Sequence, residues 1–391
     1  MLNKESKFKE LFSSLDVLDV EFKKLGEACI IADSQRKPVK SSLRMQGEIP
    51  YYGANNIQDY VEGFTHDGNY VLIAEDGSAS LENYSIQYTS GMFWANNHVH
   101  VVKGKNMLNN RFLYHYLTNM NFFPYLTGGT RAKLTKSKML DIPIPIPSLE
   151  IQEEIVKILD NFTELEAELE AELEARKKQY EYYKEQILSE NKDTVAWVNL
   201  GEIVEPIQNI RWNDTSSSYK YIDLSSVDRG EKRIKETTDI DSKNAPSRAQ
   251  KIVKENDVIF ATTRPTLRRY AIVSKEFHNQ IASTGYCVLR VRDKQVVLPK
   301  WIYFNISTNR FNEYVGKFQE GSAYPSISDS KVKIFPIPLP PLSEQNCIVS
   351  ILDKFEALVN DISIGLPAEL KARRKQYEYY RDKLLTFKEK K

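Results

Sequence analysis

One phrase occurs twice in this chain. Lys178-Gln179-Tyr180-Glu181-Tyr182-Tyr183 returns as Lys375-Gln376-Tyr377-Glu378-Tyr379-Tyr380. Each copy closes a segment that also opens alike, Ile142-Pro143-Ile144-Pro145-Ile146-Pro147-Ser148-Leu149 against Phe335-Pro336-Ile337-Pro338-Leu339-Pro340-Pro341-Leu342. Between these phrases Gln152, Ile155, Ile158, Leu159, Asp160 and Phe162 fall on Gln345, Ile348, Ile351, Leu352, Asp353 and Phe355 at a constant offset. Upstream, Gly128 and Ser137-Lys138 match Gly321 and Ser330-Lys331. Fainter echoes pair Leu25-Gly26-Glu27 with Leu200-Gly201-Glu202, and Tyr70–Ala74 with Asp257–Ala261. A chain that repeats itself at half its length is an internal duplication. Each half has a diverged portion followed by a near-constant one, so the expected task is to grasp something at two related places.

The near-constant portions have a helical period. Ile155, Ile158, Phe162, Leu165 and Leu169 step by three and four; Leu173, Tyr180, Tyr183 and Ile187 then resume one position out of phase. That is a coiled-coil seam with a four-residue stutter. Leu165, Leu169 and Leu173 each open a tandem tetrapeptide unit of strong helix formers, Leu-Glu-Ala-Glu twice and then Leu-Glu-Ala-Arg. A four-residue unit is close to one turn, so units can be gained or lost without losing the apolar stripe. The second copy carries extra residues at Ile364-Gly365-Leu366-Pro367, a stop followed by a proline restart, and is expected to form two helices. About 40 residues at about 1.5 Å each make a rod of about 60 Å. Taken singly, such a helix fits an ordinary globular core; two matched copies bracketing two diverged portions point to a spacer.

Residues 20–147 and 195–340 read as mixed strand and helix. Short β-branched and aromatic runs, such as Tyr70–Ala74, His98–Val102, Val258–Phe260 and Tyr286–Val291, alternate with Gly/Asn/Ser/Asp loops. One amphipathic segment stands near the end of each, Arg111–Met120 and Trp301–Thr308. The expected fold class is α+β, with two mixed α/β domains separated by an antiparallel pair of long coiled-coil helices in a pseudo-twofold duplication. Its expected parts are 1–147 and 191–340 as the two diverged domains, with 148–190 and 341–391 as central and C-terminal helical spacers.

The loops of the diverged domains hold the residues of chemical interest. In the first they are Arg36, Lys37, Lys40 and Arg44, then Thr130, Arg131 and Lys133 beside Gly128; in the second they are Arg211, Arg264, Arg268, Arg269, Ser322 and Tyr324. Arg and Lys with Thr and Ser form the side-chain set that binds phosphates and reads base edges in the major groove. Each loop taken alone also fits a solvated surface turn. Tyr182, Tyr183, Tyr379 and Tyr380 lie on the framework helices, where packing against a partner is expected rather than stacking on bases. His98 and His100 would share a strand face, which fits a metal pair or satisfied strand histidines; no carboxylate or cysteine at ligand spacing joins them.

Length and charge set bounds. A chain of 391 residues holds two to three domains. No apolar stretch is long enough to span a bilayer, and the polar segment Met1–Lys9 lacks a signal-peptide core. Three cysteines without CxxC spacing are expected of a reducing cytoplasm. Residues 148–190 hold five basic and thirteen acidic side chains, and 341–391 hold ten and eight, which leaves +7 elsewhere in a chain of net charge +1. The diverged domains are therefore the basic part, a modest indication of a polyanionic partner. Phosphate-loop, GxGxxG, HExxH and GxSxG motifs are missing, as is the Asp/Asn-Pro-Pro-Tyr/Phe tetrapeptide of amino-methyltransferases. These absences favour a binding protein over an enzyme.

The doubled pattern of Ile-Pro-Ile-Pro, Leu-x-x-Gln, Ile-x-x-x-Leu-Asp and the closing Gln-Tyr-Glu-Tyr-Tyr resembles the specificity subunit of type I restriction–modification enzymes over nearly the whole chain. The resemblance implies two target-recognition domains, each reading half of a split double-stranded DNA sequence, on conserved helices whose short repeats set the distance between half-sites. It also implies two modification (methyltransferase) subunits docked on those helices, with restriction subunits beyond them. No metal or cofactor is expected in this chain; S-adenosylmethionine is expected on the modification subunit. Recognition residues do not transfer within this family, so the candidate loop residues rest on their chemistry alone. A coiled-coil adaptor whose two heads bind proteins is the alternative, and salt-dependent DNA affinity separates the two. A chain with its own methyltransferase or nuclease activity is the third option, disfavoured by the missing motifs.

Overall fold

The computed structural model describes residues 19–128, 132–189, 195–361 and 364–390. These form two compact units: the described residues up to Glu168 together with those from Lys371 onward, and Leu169–Leu370. The central helix Leu149–Ser189 and the last helix Leu366–Leu385 each pass from one unit into the other. Each unit consequently contains the tyrosine-rich hexapeptide of the opposite repeat.

In the first unit the diverged portion builds two four-stranded sheets. One runs in the order Cys29–Ile31, Val99–Gly104, Tyr70–Ala74, Ile86–Thr89, antiparallel throughout. The other is Asn56–Val61, Gln46–Gly53, Met92–Ala95, His66–Asp67, with a parallel pair at its centre where Tyr51 faces Trp94. The second unit repeats both orders. Its strands are Val204–Glu205, Tyr286–Val291, Val258–Ala261, Tyr270–Ile272 in one sheet and Thr238–Ile240, Tyr219–Ile222, Ile281–Ser283, Ala249–Ile252 in the other, again with a central parallel pair, Tyr221 facing Ile281. The duplication thus runs through the diverged portions, whose side chains changed while their strand order did not.

The apolar strand runs are explained by burial on both faces. Val71 and Ile73 pack with Phe112 and Leu113 of the helix Asn110–Thr118, whereas Leu72 joins Tyr52, Phe93 and Val101 on the other side. In the second unit Val258 and Phe260 meet Trp301 and Phe304 of the helix Pro299–Ile306, and Ile259 and Ala261 meet Ile222, Ala282 and Val288.

The repeated phrases make the base of each unit. Pro143–Pro145 pairs with Phe22–Lys24, and Pro336–Pro338 with Trp197–Asn199. Proline has no amide proton, so each remains a two-stranded ribbon, its central Ile144 or Ile337 fully buried. Next to it the Leu25 amide donates to the Ile142 carbonyl (2.8 Å), and that of Leu200 to Phe335 (3.0 Å). A Cβ on Gly26 would sit 3.0 Å from the Leu140 side chain, and one on Gly201 3.3 Å from the Lys333 carbonyl oxygen. Close packing of two short helices therefore underlies the Leu-Gly-Glu echo.

The second framework copy is two helices, Leu342–Asn360 and Leu366–Leu385. Gly365 stands at the break because an added Cβ would lie 2.4 Å from the Ala357 carbonyl oxygen. In the first unit Phe162 lies 6.2 and 5.6 Å, ring to ring, from Tyr377 and Tyr380, and Glu166 accepts from Arg374 at 2.6 Å. Numbers rising along one helix meet numbers falling along the other, so the pair is antiparallel. In the second unit Val349 and Leu352 share a core with Tyr180 and Leu188 of the central helix.

The phase of the seam needs correction. The buried or half-buried positions of the central helix include Gln152, Ile155, Leu159, Phe162, Glu166, Leu169, Leu173, Tyr180, Lys184 and Leu188. They keep a three-four step from Gln152 to Leu173; Tyr180 follows seven positions on, and Lys184 and Leu188 then come at steps of four, so the change of phase lies after Tyr180 and not after Leu169. Leu165 and Tyr183, assigned to the stripe, are exposed. The stripe instead runs through polar residues with partners: Glu166 holds Arg374, and the buried Lys184 ammonium donates to Glu181 (2.8 Å).

Candidate nucleic-acid interface

Each head is mounted on its helix by the same side chain. Gln152 is wholly buried; its Oε1 accepts from the Asn109 amide (2.8 Å), and its Nε2 donates to the carbonyls of Met107 (2.9 Å) and Pro147 (2.8 Å). Gln345 repeats this with the Leu298 amide (3.0 Å) and the carbonyls of Val296 (3.0 Å) and Pro340 (2.8 Å). A second tie also recurs. Asp160 accepts from Arg111 (2.8 Å) and His115 (2.7 Å), and Asp353 accepts from Lys300 (2.5 Å). Burial pushes the His115 pKa below its ordinary value despite the Asp160 hydrogen bond. The second unit adds a bond from the Tyr303 hydroxyl to Glu356 (2.7 Å), a carboxyl that burial pushes up.

In the first head the segment from Asp33 to Met45 connects a strand of one sheet to a strand of the other, and its Lys37 amide donates to the Ala95 carbonyl (3.0 Å). Arg36 is spent on the head's own acceptors: Glu75 (2.8 Å) and the carbonyls of Val99 (2.7 Å) and Asp33 (3.1 Å). Arg44 lies 4.1 Å over the Tyr51 ring and is paired with Asp59 (3.2 Å). Lys133 pairs with Glu75 (3.0 Å). Lys37 and Lys40 are exposed, and the Trp94 indole donates to the Lys37 carbonyl (2.7 Å). Thr130 and Arg131 lie outside the described residues. His100 is buried between Asp33 (2.7 Å) and the Leu134 carbonyl (2.9 Å), which take both its ring nitrogens, and the exposed His98 contacts Asp76 through Nδ1 (2.6 Å).

Selecting loop residues by polarity misses the apolar side of this face. Leu43 and Met45 are exposed beside a cavity of about 290 Å³ lined also by Lys37, Val39, Arg44, Tyr51 and Trp94. Apolar side chains there suit the thymine methyl, which polar-residue reasoning overlooks. The available signal was two non-periodic hydrophobic residues flanking Arg44 in a loop.

In the second head the strand Val258–Ala261 leads into a turn, Pro265–Leu267, flanked by Arg264 (φ 49°) and Arg268 (φ 54°). Left-handed backbone at non-glycine residues is disfavoured by about 1–2 kcal/mol each, and several bonds hold it here. The Arg264 amide donates to the Pro325 carbonyl (2.6 Å), and Thr263 bridges Ser326. The Arg268 guanidinium donates to the Ser307 carbonyl and to Asn309 (3.1 Å), while the Arg268 carbonyl accepts from Lys232 (2.7 Å). Burial, with the positive charges of Arg268 and Lys184, pushes the Lys232 pKa down to about 8. Arg264 itself is exposed and lies 4.7 Å over the ring of Tyr324, which is 71% exposed. Ser322 is exposed on the same hairpin, Arg211 is exposed beside the turn Trp212–Asp214, and Arg269 is half-buried. The turn thus brings Arg264, Arg268 and Tyr324 together.

On the framework, Tyr182 (61% exposed) and Tyr379 (55%) occupy equivalent positions of the two hexapeptides. Tyr183 is exposed, and Tyr380 packs on Phe162. Leu165 and its counterpart Leu358 are also both exposed. Among the described residues no three His, Cys, Asp or Glu side chains are grouped to hold a metal, and no helix is long and apolar enough to cross a membrane.

Two heads of one topology, each with cationic and aromatic loops and mounted identically on duplicated helices, make a paired recognition module. The family model of the type I restriction modification DNA specificity domain matches residues 18–175 and 192–372. A Haemophilus influenzae protein assigned as a type I restriction enzyme specificity subunit is 48% identical over 385 residues, 95% of this chain and 97% of that one. The EcoR124I/EcoR124II specificity subunit of Escherichia coli is 36% identical over 260 residues, 63% of each chain. The crystal structure of a type I restriction-modification S subunit from M. genitalium is similar in fold, with a TM-score of 0.60 over 95% of this chain and 97% of that one at 13% identity. The chain belongs to the type I restriction–modification specificity subunits, the components that recognise DNA while other subunits methylate and cut it.

Proposed function

We propose that this chain reads a bipartite double-stranded DNA target, one half-site per head, and docks two modification subunits on its helices. The observation that carries the reading is the pair of heads with one sheet order, each clamped by an equivalent glutamine. Equal mounting with unequal loops is what a reader of two different half-sites requires. The basic excess outside the framework helices supplies affinity for phosphates, and a few loop side chains supply the choice of bases. The exposed residues that recur, Leu165 with Leu358 and Tyr182 with Tyr379, are the docking positions, one set for each modification subunit. In functional terms 1–147 and 191–340 are the readers, and 148–190 and 341–391 the spacers. S-adenosylmethionine is bound by the modification subunit, restriction subunits complete the enzyme, and the assembly works in the cytoplasm.

Mapping methylated bases in cells that carry this chain and its modification subunit tests the reading. A split motif with a fixed gap is expected. A single uninterrupted motif, or methyl transfer by the purified chain alone, would refute it. Replacing Tyr182, Tyr183, Tyr379 and Tyr380 by Ala is expected to weaken assembly while each unit stays folded.

A further inference from the structure

We infer that Arg264, held over the Tyr324 ring, reads a guanine in the half-site of the second head, and that Arg268 is the positioning residue that holds it. The inference rests on the reading of this head as a DNA-binding domain.

The arginines of the two heads differ in what their in-plane donors are doing. Arg36, Arg44 and Arg268 direct theirs at carboxylates, carbonyls or an amide oxygen of the protein. Arg290 does the same, gripping the buried Asp257 with two bonds of 2.9 and 2.7 Å. Among the described residues the Arg264 guanidinium makes neither a hydrogen bond nor an ion pair; its contact is with the face of the Tyr324 ring, at 4.7 Å. A guanidinium is drawn to the face of an aromatic ring by charge, and its planar fork carries five N–H donors. The contact therefore holds the guanidinium on the ring and leaves its donors without a partner among the described residues.

The backbone beneath the fork is equally fixed. Left-handed conformation at a non-glycine residue persists only where the surroundings enforce it. Here the Arg264 amide is tied to Pro325 of the hairpin that carries Tyr324, and the far end of the turn is bolted through Arg268 to Ser307 and Asn309. Arg264 and Tyr324 are thus held together as one platform. Guanine is the base that presents two acceptors, O6 and N7, side by side in the major groove, matching two parallel N–H donors. Adenine offers one acceptor beside a donor, which this fork would oppose. A phosphate would also accept the fork, but such a contact would leave affinity indifferent to the base pair.

The test uses the chain assembled with its modification subunits, on duplexes bearing the mapped target and every single base-pair change in it. The parent's second half-site is expected to contain a G·C pair at which substitution weakens binding about 5- to 150-fold, the range of one bidentate contact. Arg264→Gly, which accepts the left-handed backbone, should abolish preference at that pair alone, and Arg264→Lys, which keeps the charge and donors but not the rigid fork, should reduce it there. Arg268→Ala should blunt the preference at the same pair and leave the first half-site unchanged. A second half-site without a G·C pair would overturn the inference, as would uniform weakening on all duplexes with a shallower salt dependence. A parent complex that discriminates among no duplexes would overturn it together with the DNA-binding reading beneath it.

Discussion

Gln152 and Gln345 each close three hydrogen bonds with backbone groups at a buried joint, so removing the amide strands donors and acceptors on both sides of it. A buried group left unsatisfied costs about 1–3 kcal/mol. Gln152→Leu and Gln345→Leu are each expected to destabilise their own unit by about 3 kcal/mol, read as a lower denaturant midpoint. An unshifted midpoint would mean that water or relaxation replaces the lost bonds. Asp33 adds a pH dependence in the first head. Burial pushes its carboxyl up, but the His100 hydrogen bond, the Val101 amide and the charges of His100 and Arg36 outweigh burial and hold it below its ordinary value. The unfolded chain therefore takes up the proton first. The stability gained is complete above the unfolded value near pH 4 and is lost as pH falls through the lower native one. Acid unfolding of this head is expected below about pH 4, and its slope should flatten in Asp33→Asn; an identical slope would place the acid sensitivity elsewhere.

At the scale of elements, the tetrapeptide repeat allows a length change without loss of helix. Deleting Leu169–Glu172 shortens the central helix by about 6 Å and turns its C-terminal part by about 40°. With about 3.4 Å per base pair, the gap between half-sites should contract by at most two base pairs, and by one if the helix is inclined to the DNA. Methylation mapping reads this directly, and an unchanged gap with activity retained would show that the helix does not set the distance. Much of this framework is legible in the sequence: the duplication, the strand runs, and the break that Gly365 makes. The phase of the seam is not, because counting apolar residues places Leu165 and Tyr183 on a stripe that passes instead through Glu166 and Lys184. Glu166 is half-buried by a partner distant in sequence, and Lys184 is buried with one offset along the helix. The same blindness affects the loops. Whether Arg36 faces DNA or Glu75 depends on a strand end 39 positions away, so charge and loop context alone could not separate it from Arg264.

The whole molecule combines two self-sufficient heads with a shared framework, and that division makes independence testable. Each head has its own two sheets, its own core and its own glutamine clamp, and the clamp and core of a head lie within its own unit. Replacing residues 22–146 by the corresponding segment of a relative preserves the Pro-Ile-Pro ribbon only if the grafted strand still pairs as Phe22–Lys24 does with Pro143–Pro145, so the junctions belong at those repeated phrases. Such a chimera is expected to assemble normally and to exchange one half-site while keeping the other half-site and the gap. Its affinity should still fall steeply with salt, because counterion release depends on the number of phosphates neutralised rather than on the bases read. An adaptor whose heads bind proteins would show no such slope on DNA. If both half-sites changed in the mapped motif, the heads would be coupled through the framework, and the matched clamps at Gln152 and Gln345 would have to transmit shape as well as hold position.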